Sequence, residues 1–109
     1  MIIDLRTYTI RVGALGEFLA RYARDGLPVQ SEHLGEPLAY CTSETGELSQ
    51  VVHLWRYADL ADRERRRAAL EADPRWLDYR NGSAALVVRQ ENRLLRGVDL
   101  AALAARPLS

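Results

Sequence analysis

Hydrophobic and polar positions alternate along residues 2–11, and this period of two is typical of a β-strand. After Gly13 the period changes to that of a helix with one apolar face. Four apolar residues recur at this helical spacing: Leu15, Phe18, Leu19 and Tyr22. Gly26, followed by Pro28, predicts the end of this helix. Residues 27–37 are then a connection or a second short helix.

Two further apolar segments, 38–44 and 48–57, predict strands, and the short turn 45–47 contains a glycine. The pattern therefore predicts a β-hairpin. Asp59 is a suitable N-cap for a helix over 60–72. A second helical stretch begins at residues 73–74.

Asn81 and Gly82 predict the end of that second stretch. The last strand is predicted over about 84–95, and residues 98–105 predict a short helical tail. The order strand, helix, strand, strand, helix, strand is the βαββαβ pattern of the ferredoxin-like α+β fold, an antiparallel sheet with its helices on one face. We expect one such domain over 1–109, with a core of about 2–95 and a tail of 96–109.

Both faces of the predicted sheet carry apolar residues. In the third strand, Val51, Trp55 and Tyr57 fall on one face, and Val52 and Leu54 on the other. Helices cover one face of the sheet, so the second face requires another cover. A second copy of the chain is the simplest one, and the sequence therefore predicts a homodimer.

Composition narrows the classes of function. The chain has 109 residues, with 15 basic and 15 acidic side chains, so its net charge favours neither nucleic acid nor an anionic membrane as a partner. All the basic residues are arginine, which excludes chemistry on a lysine Schiff base. The single cysteine, Cys41, excludes an internal disulfide and is expected to be a small buried residue. No signal-peptide pattern or membrane-spanning run is present, and a cytoplasmic protein is expected.

Several segments resemble the NIPSNAP family, a branch of the dimeric α+β barrel proteins. They are 4–9, 13–18, 42–57, 63–70 and 73–76, and the resemblance covers about 2–95. Ser49 differs from the asparagine that the family usually carries there. The resemblance implies two ferredoxin-like subunits that pair their sheets into a barrel. It implies no single reaction, because relatives on this architecture include cofactor-free monooxygenases, polyketide cyclases, isomerases and haem enzymes.

His53 lies in the middle of the third strand, on the face of Trp55 and Tyr57. It is a candidate general acid or base in an apolar pocket, and the alternative is a histidine packed for structure alone. His33 lies near Gly35 and is interpreted as a surface residue. Two histidines 20 positions apart, with no cysteine nearby, make no metal-binding motif, so no metal is expected.

Arg63 and Arg67 fall on one helical stripe with Leu60 and Leu70, which places charge on a face that should be buried. A buried guanidinium requires a partner. One interpretation is a clamp for a substrate carboxylate or enolate. The other is an internal ion pair, for which the candidate partners are Glu44, Glu64 and Glu71.

A pocket between sheet and helices would suit a flat, largely apolar or anionic molecule. The candidate ligand-binding residues are Arg6, Tyr8, Tyr22, Tyr40, Trp55 and Trp76. No nucleotide-binding loop or nucleophile elbow is present, and no cofactor is expected.

Two hypotheses of function follow. The first is a cofactor-free enzyme for an aromatic or polyketide-like compound, acting by proton transfer, cyclisation or oxygenation. The alternative is a non-catalytic ligand-binding or protein-interaction module, and haem binding is a third. A pocket of ligand size that both His53 and an arginine reach favours the first hypothesis, whereas a filled interior favours a module.

Overall fold

The computed structural model describes residues 1–108 and contains a four-stranded antiparallel sheet. Its strands are β1 (Ile2–Ile10), β2 (Ala39–Thr42), β3 (Gln50–Tyr57) and β4 (Val87–Arg96). They lie in the order β2-β3-β1-β4, so that the two strands of the hairpin pair with each other and β1 lies between β3 and β4. This order confirms the ferredoxin-like α+β fold that the sequence predicts.

The helices pack on one face of this sheet. They are α1 (Leu15–Arg21), α2 (Leu27–Leu34), α3 (Leu60–Glu71) and α4 (Pro74–Ser83), followed by a short tail helix, α5 (Leu100–Ala104). Asp59 caps α3 as predicted, because its Oδ1 accepts a hydrogen bond from the Asp62 backbone N–H at 2.7 Å. No helix in residues 1–108 is long and apolar enough to cross a membrane.

The prediction that Gly26 ends the first helix is wrong. A π-helical turn, Tyr22–Gly26, joins α1 directly to α2, and Gly26 itself has right-handed helical dihedral angles. Pro28 does not end the helical segment either, because it lies in the first turn of α2, a position at which proline is tolerated. The helical segment ends at Gly35, whose φ of +78° is left-handed.

Two boundaries near the last strand also differ from the predictions. Helix α4 continues through Asn81 and Gly82 to Ser83. Ala84–Leu86 then form a 3₁₀ turn, so β4 begins at Val87 rather than at residue 84. Leu86, the last residue of this turn, is buried in the core.

The inner face of the sheet is apolar at both ends and polar in its middle. One core cluster contains Ile2, Val29, Leu34, Trp55, Tyr57, Leu70 and Trp76. The other contains Ile10, Ala14, Phe18, Tyr22, Val51 and Leu86. Between them the inner face carries Asp4, Arg6, Tyr8 and His53. The polar middle of the sheet therefore lies under the helices, where a functional site is expected.

The outer face of the sheet carries a half-buried apolar surface without helices on it. Val52 pairs with Thr7 and Cys41, and Leu54 pairs with Leu5 and Ala39. Cys41 is exposed on this face, so the expectation that it is buried does not hold within a single chain.

Candidate functional site

A cavity of roughly 550 Å³ lies between the polar middle of the sheet and the helices. This volume is within the range of small-molecule sites. Its walls combine aromatic, arginine and amide side chains with a short apolar stretch of β4. Its main lining residues are Arg6, Tyr8, Phe18, Tyr22, Gln30, Tyr40, His53, Arg67, Glu71, Trp76, Tyr79, Arg80, Ser83, Val87, Arg89 and Gln90.

His53 forms part of the floor of this cavity and is only 1% exposed. The indole N–H of Trp55 donates a hydrogen bond to His53 Nδ1 at 2.7 Å. Because an indole nitrogen can only donate, Nδ1 must be the unprotonated ring nitrogen. The neutral imidazole therefore carries its proton on Nε2, which is buried and has no hydrogen-bond partner among residues 1–108.

The surroundings of His53 keep the ring neutral. Burial lowers the pKa of His53 to about 3, and the charge of Arg6 adds to this effect while Asp4 opposes it. A group with this pKa is a poor proton acceptor at neutral pH. What His53 offers to the cavity is a fixed N–H donor, so the geometry favours stabilisation of a developing negative charge over general-base catalysis.

Aromatic rings stack on His53 and form one wall. Tyr40 lies face to face with His53, with ring centroids 4.7 Å apart, and Tyr22 stacks on the other face of Tyr40 at 4.7 Å. Tyr8 meets the imidazole edge-on at 4.8 Å. Burial raises the pKa values of Tyr22 and Tyr40, so their hydroxyls stay protonated. Flat apolar ligands are favoured by such a wall.

The π-helical turn positions part of that wall. Tyr22 begins the turn, and its hydroxyl donates to the buried Gln30 Oε1 at 2.5 Å. A Cβ atom on Gly26 would lie 2.8 Å from the Tyr22 ring and 2.8 Å from the Tyr79 ring. Glycine is therefore required here by close approach and not by a left-handed dihedral angle. π-Helical turns are frequent at functional sites, and this one is consistent with that tendency.

Arg67 enters the cavity from α3 with an incompletely paired guanidinium. Its side chain is 20% exposed, and its nearest carboxylate is Glu71, with 3.8 Å between Arg67 Nη2 and Glu71 Oε1. Glu71 is also bound by Arg80. Arg67 Nη1 is buried and has no hydrogen-bond partner within residues 1–108. Burial raises the pKa of the neighbouring Tyr57 hydroxyl, and the Arg67 guanidinium opposes this shift.

Arg63, one turn earlier on the same helix, is used differently. Its Nε donates to Asp4 Oδ2 at 3.2 Å, and this carboxylate is fully buried. Arg6 Nη1 donates to the same oxygen at 3.3 Å, and Asn92 Nδ2 donates to Oδ1 at 3.1 Å. Asp4 therefore links β1 to α3 and β4, and Arg63 belongs to this structural network.

The structure brings most of the predicted site residues to one cavity. Its lining includes Arg6, Tyr8, Tyr22, Tyr40, His53, Arg67 and Trp76. Trp55 lies behind His53 and orients it, and Arg63 is not among the lining residues. His33 lies elsewhere, beside Asp73, with 2.9 Å between its Nε2 and Asp73 Oδ2.

Sequence reasoning missed Gln30, Tyr79 and the role of Asp4. Gln30 falls in the segment 27–37, whose conformation the sequence left open. The sequence did indicate a role for Asp4. This carboxylate lies on the inner face of β1, at a buried position where an apolar residue is expected. The candidate ion-pair partners for Arg63 and Arg67 were Glu44, Glu64 and Glu71. Glu64 does bind Arg63 at 3.3 Å on the exposed side, whereas the buried partner is Asp4.

One cluster outside the cavity has the composition of a metal site. Potential ligand atoms of Glu32, His33 and Asp73 lie within 4.8 Å of one another. Arg75 already binds both carboxylates of this cluster, with 2.5 Å to Glu32 Oε2 and 2.8 Å to Asp73 Oδ2. Because Arg75 binds both carboxylates and His33 contacts Asp73, these side chains form an ion-pair network joining α2 to the start of α4.

Comparison with solved structures shows where this fold recurs. A NIPSNAP family protein from Agrobacterium tumefaciens superposes with a TM-score of 0.87 and 36% identity, covering 99% of this chain and 98% of that one. An antibiotic biosynthesis monooxygenase superposes with a TM-score of 0.63, covering 91% of this chain and 100% of that one. Its identity is 16%, so this likeness concerns the fold alone.

Sequence comparison gives the family. A NipSnap homolog from Dictyostelium discoideum is 29% identical over 97 residues, which are 89% of this chain and 43% of that protein. The chain spans less than half the length of the curated relatives that it matches. The NIPSNAP family model matches residues 3–102, nearly the whole chain, and the protein therefore belongs to the NIPSNAP family.

Proposed function

We propose that the cavity binds a small flat compound, aromatic or polyketide-like, and stabilises its enolate or phenolate form. The observation that carries this proposal is the Nε2–H of His53, a buried donor with no partner among residues 1–108, in a cavity rich in arginine. The lining arginines are Arg6, Arg67, Arg80 and Arg89, and Glu71 is the one acidic side chain among the lining residues of the described chain.

The proposed chemistry is electrostatic. An enol or phenol that places its oxygen at His53 Nε2 gains a hydrogen bond that strengthens as negative charge develops there, while its proton is released to solvent. Trp55 holds the imidazole in the required tautomer through its hydrogen bond to Nδ1. The sequence suggested a general acid or base at His53. The role proposed here is that of a fixed hydrogen-bond donor, because a neutral ring with its proton on Nε2 donates to the ligand.

A stabilised enolate is a carbon nucleophile. Isomerisation, cyclisation and cofactor-free reaction with O₂ all begin from such a species, so the proposal fits the enzyme hypothesis better than the non-catalytic module. The volume of the cavity, together with the presence of both His53 and Arg67 in its wall, supports that preference. A cytoplasmic location is part of the proposal.

Ionisation of a chromophoric phenol tests it. We expect 4-nitrophenol to bind and to show the absorption of its phenolate at a pH at least one unit below its titration in free solution. His53→Gln should abolish the shift while the probe still binds, because the aromatic wall remains. His33→Gln, outside the cavity, is the matched control and should keep the shift. A bound nitrophenol that titrates as it does in water would refute the proposal. If the shift is present but no enolisable compound is turned over, the non-catalytic alternative is favoured.

A further inference from the structure

The hydrogen-bonding atoms of the cavity that have no partner among residues 1–108 fall into two groups. His53 Nε2 and Tyr40 Oη belong to side chains of neighbouring strands whose rings stack on each other. Arg67 Nη1 and Trp76 Nε1 lie on α3 and α4, towards the Tyr57 end of the sheet. The proposed function places the ligand oxygen at His53, in the first group, and uses Arg67 only as part of the positively charged lining of the cavity. The second group comprises a guanidinium and an indole, which donate and cannot accept.

These two donors have no adequate acceptor within the described residues. Glu71 lies 3.8 Å from Arg67 Nη2, beyond hydrogen-bonding distance, and its carboxylate is also bound to Arg80. The Tyr57 hydroxyl is a neutral acceptor, so the charge of Arg67 is compensated only by Glu71, from 3.8 Å and shared with Arg80. Trp76 is 7% exposed, so its N–H does not reach open solvent. Buried donors without acceptors are costly, so each of them in a native structure requires an explanation, such as a bound acceptor or a functional role.

We infer that Arg67 and Trp76 bind a carboxylate of the ligand, at a subsite separate from the oxyanion position at His53. Two oxygens match a guanidinium N–H and an indole N–H, and the negative charge compensates Arg67. The ligand class is thereby narrowed to flat aromatic or polyketide-like acids that carry an enol, a phenol or a ketone at the other end. The placement of the enol, phenol or ketone at His53 rests on the proposed function. The placement of the carboxylate at Arg67 and Trp76 does not.

A pair of neutral and charged isosteres tests the subsite. The probes are 2-naphthoate and 2-naphthamide, which have the same ring system and differ in charge. By calorimetry on the full chain we expect 2-naphthoate to bind at least tenfold more tightly. Arg67→Met should remove this preference, so that the two probes bind about equally. Arg67→Lys should keep part of the preference, because the positive charge remains while the planar guanidinium with its paired N–H donors is lost. Trp76→Phe should reduce it several-fold.

Arg65→Met is the matched control, since Arg65 lies on the same helix, is 72% exposed and binds Asp62 outside the cavity. It should leave the preference unchanged. Equal binding of the two probes to the wild-type protein would overturn the carboxylate assignment. So would a preference that survives in a folded Arg67→Met protein, or tighter binding of 2-naphthyl phosphate than of 2-naphthoate. None of these results changes the nitrophenol experiment at His53, so the two proposals fail independently.

Discussion

The chemistry proposed for the site depends mainly on the environment of His53. The indole of Trp55 donates to its ring, Tyr40 stacks on it and the charge of Arg6 lies close by. Its Nε2–H is buried without a partner among residues 1–108, and the residue lines the cavity. The residue type alone suggests a proton carrier near neutral pH. The folded environment changes that role, because burial disfavours the imidazolium and the indole of Trp55 fixes the tautomer.

His53 should also make stability dependent on pH. Its pKa is about 3 in the folded protein against 6.5 for an unperturbed histidine, so the unfolded state binds the proton more tightly. Stability is therefore complete above pH 6.5 and falls as the pH is lowered, by about 1.4 kcal/mol per unit at most. Urea denaturation between pH 7 and pH 5 should show this slope in the wild type and a smaller slope in His53→Gln. Equal slopes in the two proteins would contradict the buried neutral imidazole.

Gly26 is a second residue whose surroundings decide its effect. Gly26→Ala places a Cβ 2.8 Å from both the Tyr22 and the Tyr79 ring, so we expect a loss of about 1–3 kcal/mol despite the better helix propensity of alanine. Gly16→Ala is the control, because no atom lies within 4 Å of a Cβ there, and it should stabilise by up to about 1 kcal/mol. Thermal unfolding measures the stability of both variants. A stabilising Gly26→Ala would mean that the Tyr22 and Tyr79 rings can move away from the added methyl group.

At the scale of elements, the inward face of α3 carries one arginine that binds a buried carboxylate and one that lines the cavity. Arg63 completes the buried carboxylate network of Asp4, whereas Arg67, one turn later, reaches the cavity. The sequence places both on one stripe and leaves open whether either is structural or functional. The two arginines differ in their partners. The buried partner of Arg63 is Asp4, which lies 59 positions away in the sequence, and spacing along a helix cannot reveal such a partner.

Alanine substitutions should show this division. Arg63→Ala removes one of the partners of a fully buried carboxylate, and Arg6 and Asn92 remain, so we expect a loss of about 2–3 kcal/mol. Arg67→Ala removes only a long ion pair, with 3.8 Å between Arg67 Nη2 and the partly exposed Glu71 Oε1, so the melting temperature of this variant should stay close to that of the wild type. Differential scanning calorimetry of the two variants provides the comparison. Similar losses in both would assign Arg67 to structure.

The elements themselves could be predicted where periodicity is long. The strands β1 and β3, the hairpin and the capped helix α3 follow from alternation, turn residues and Asp59. The errors lie at glycines. The sequence predicts helix ends at Gly26 and Gly82. At Gly26, however, the absence of a Cβ allows the Tyr22 and Tyr79 rings to pack closely against the helix backbone. The aromatic and histidine part of the site was predictable because strand alternation assigns a face, whereas Gln30 and Tyr79 depend on how α2 and α4 pack.

At the scale of the whole molecule, the chain is thin and long. Its principal extents are 56 × 35 × 19 Å, and the smallest of them accommodates one sheet and one layer of helices. Its radius of gyration is 16.4 Å, whereas a compact domain of this length has about 13 Å. The outer face of the sheet therefore has no second layer within residues 1–108.

We propose that a second copy of the chain covers this outer face. The face presents Val52, Leu54, Ile3 and Leu5, each half-buried, and Cys41, which is exposed. Hydrophobic side chains on the uncovered face of a sheet favour association, and a pair of such sheets would bury an interface above about 2,000 Å², the size of obligate dimers. By sedimentation equilibrium at micromolar concentration we expect a dimer and no folded monomer.

Charge substitution on this face tests the dimer directly. Val52→Glu places a carboxylate at the centre of the proposed interface, where desolvation without a partner is costly, so the variant should lose the dimer and unfold with it. Val12→Glu makes the same chemical change at a loop residue that is 92% exposed, and this control should stay dimeric with unchanged stability. Val87 does not serve for this experiment, because it lines the ligand cavity. A wild-type chain that sediments as a folded monomer, or a Val52→Glu protein that remains a stable dimer, would show that the outer face is not an interface between copies. The first result would also leave the apolar residues of β1 and β3 without a structural explanation in this fold.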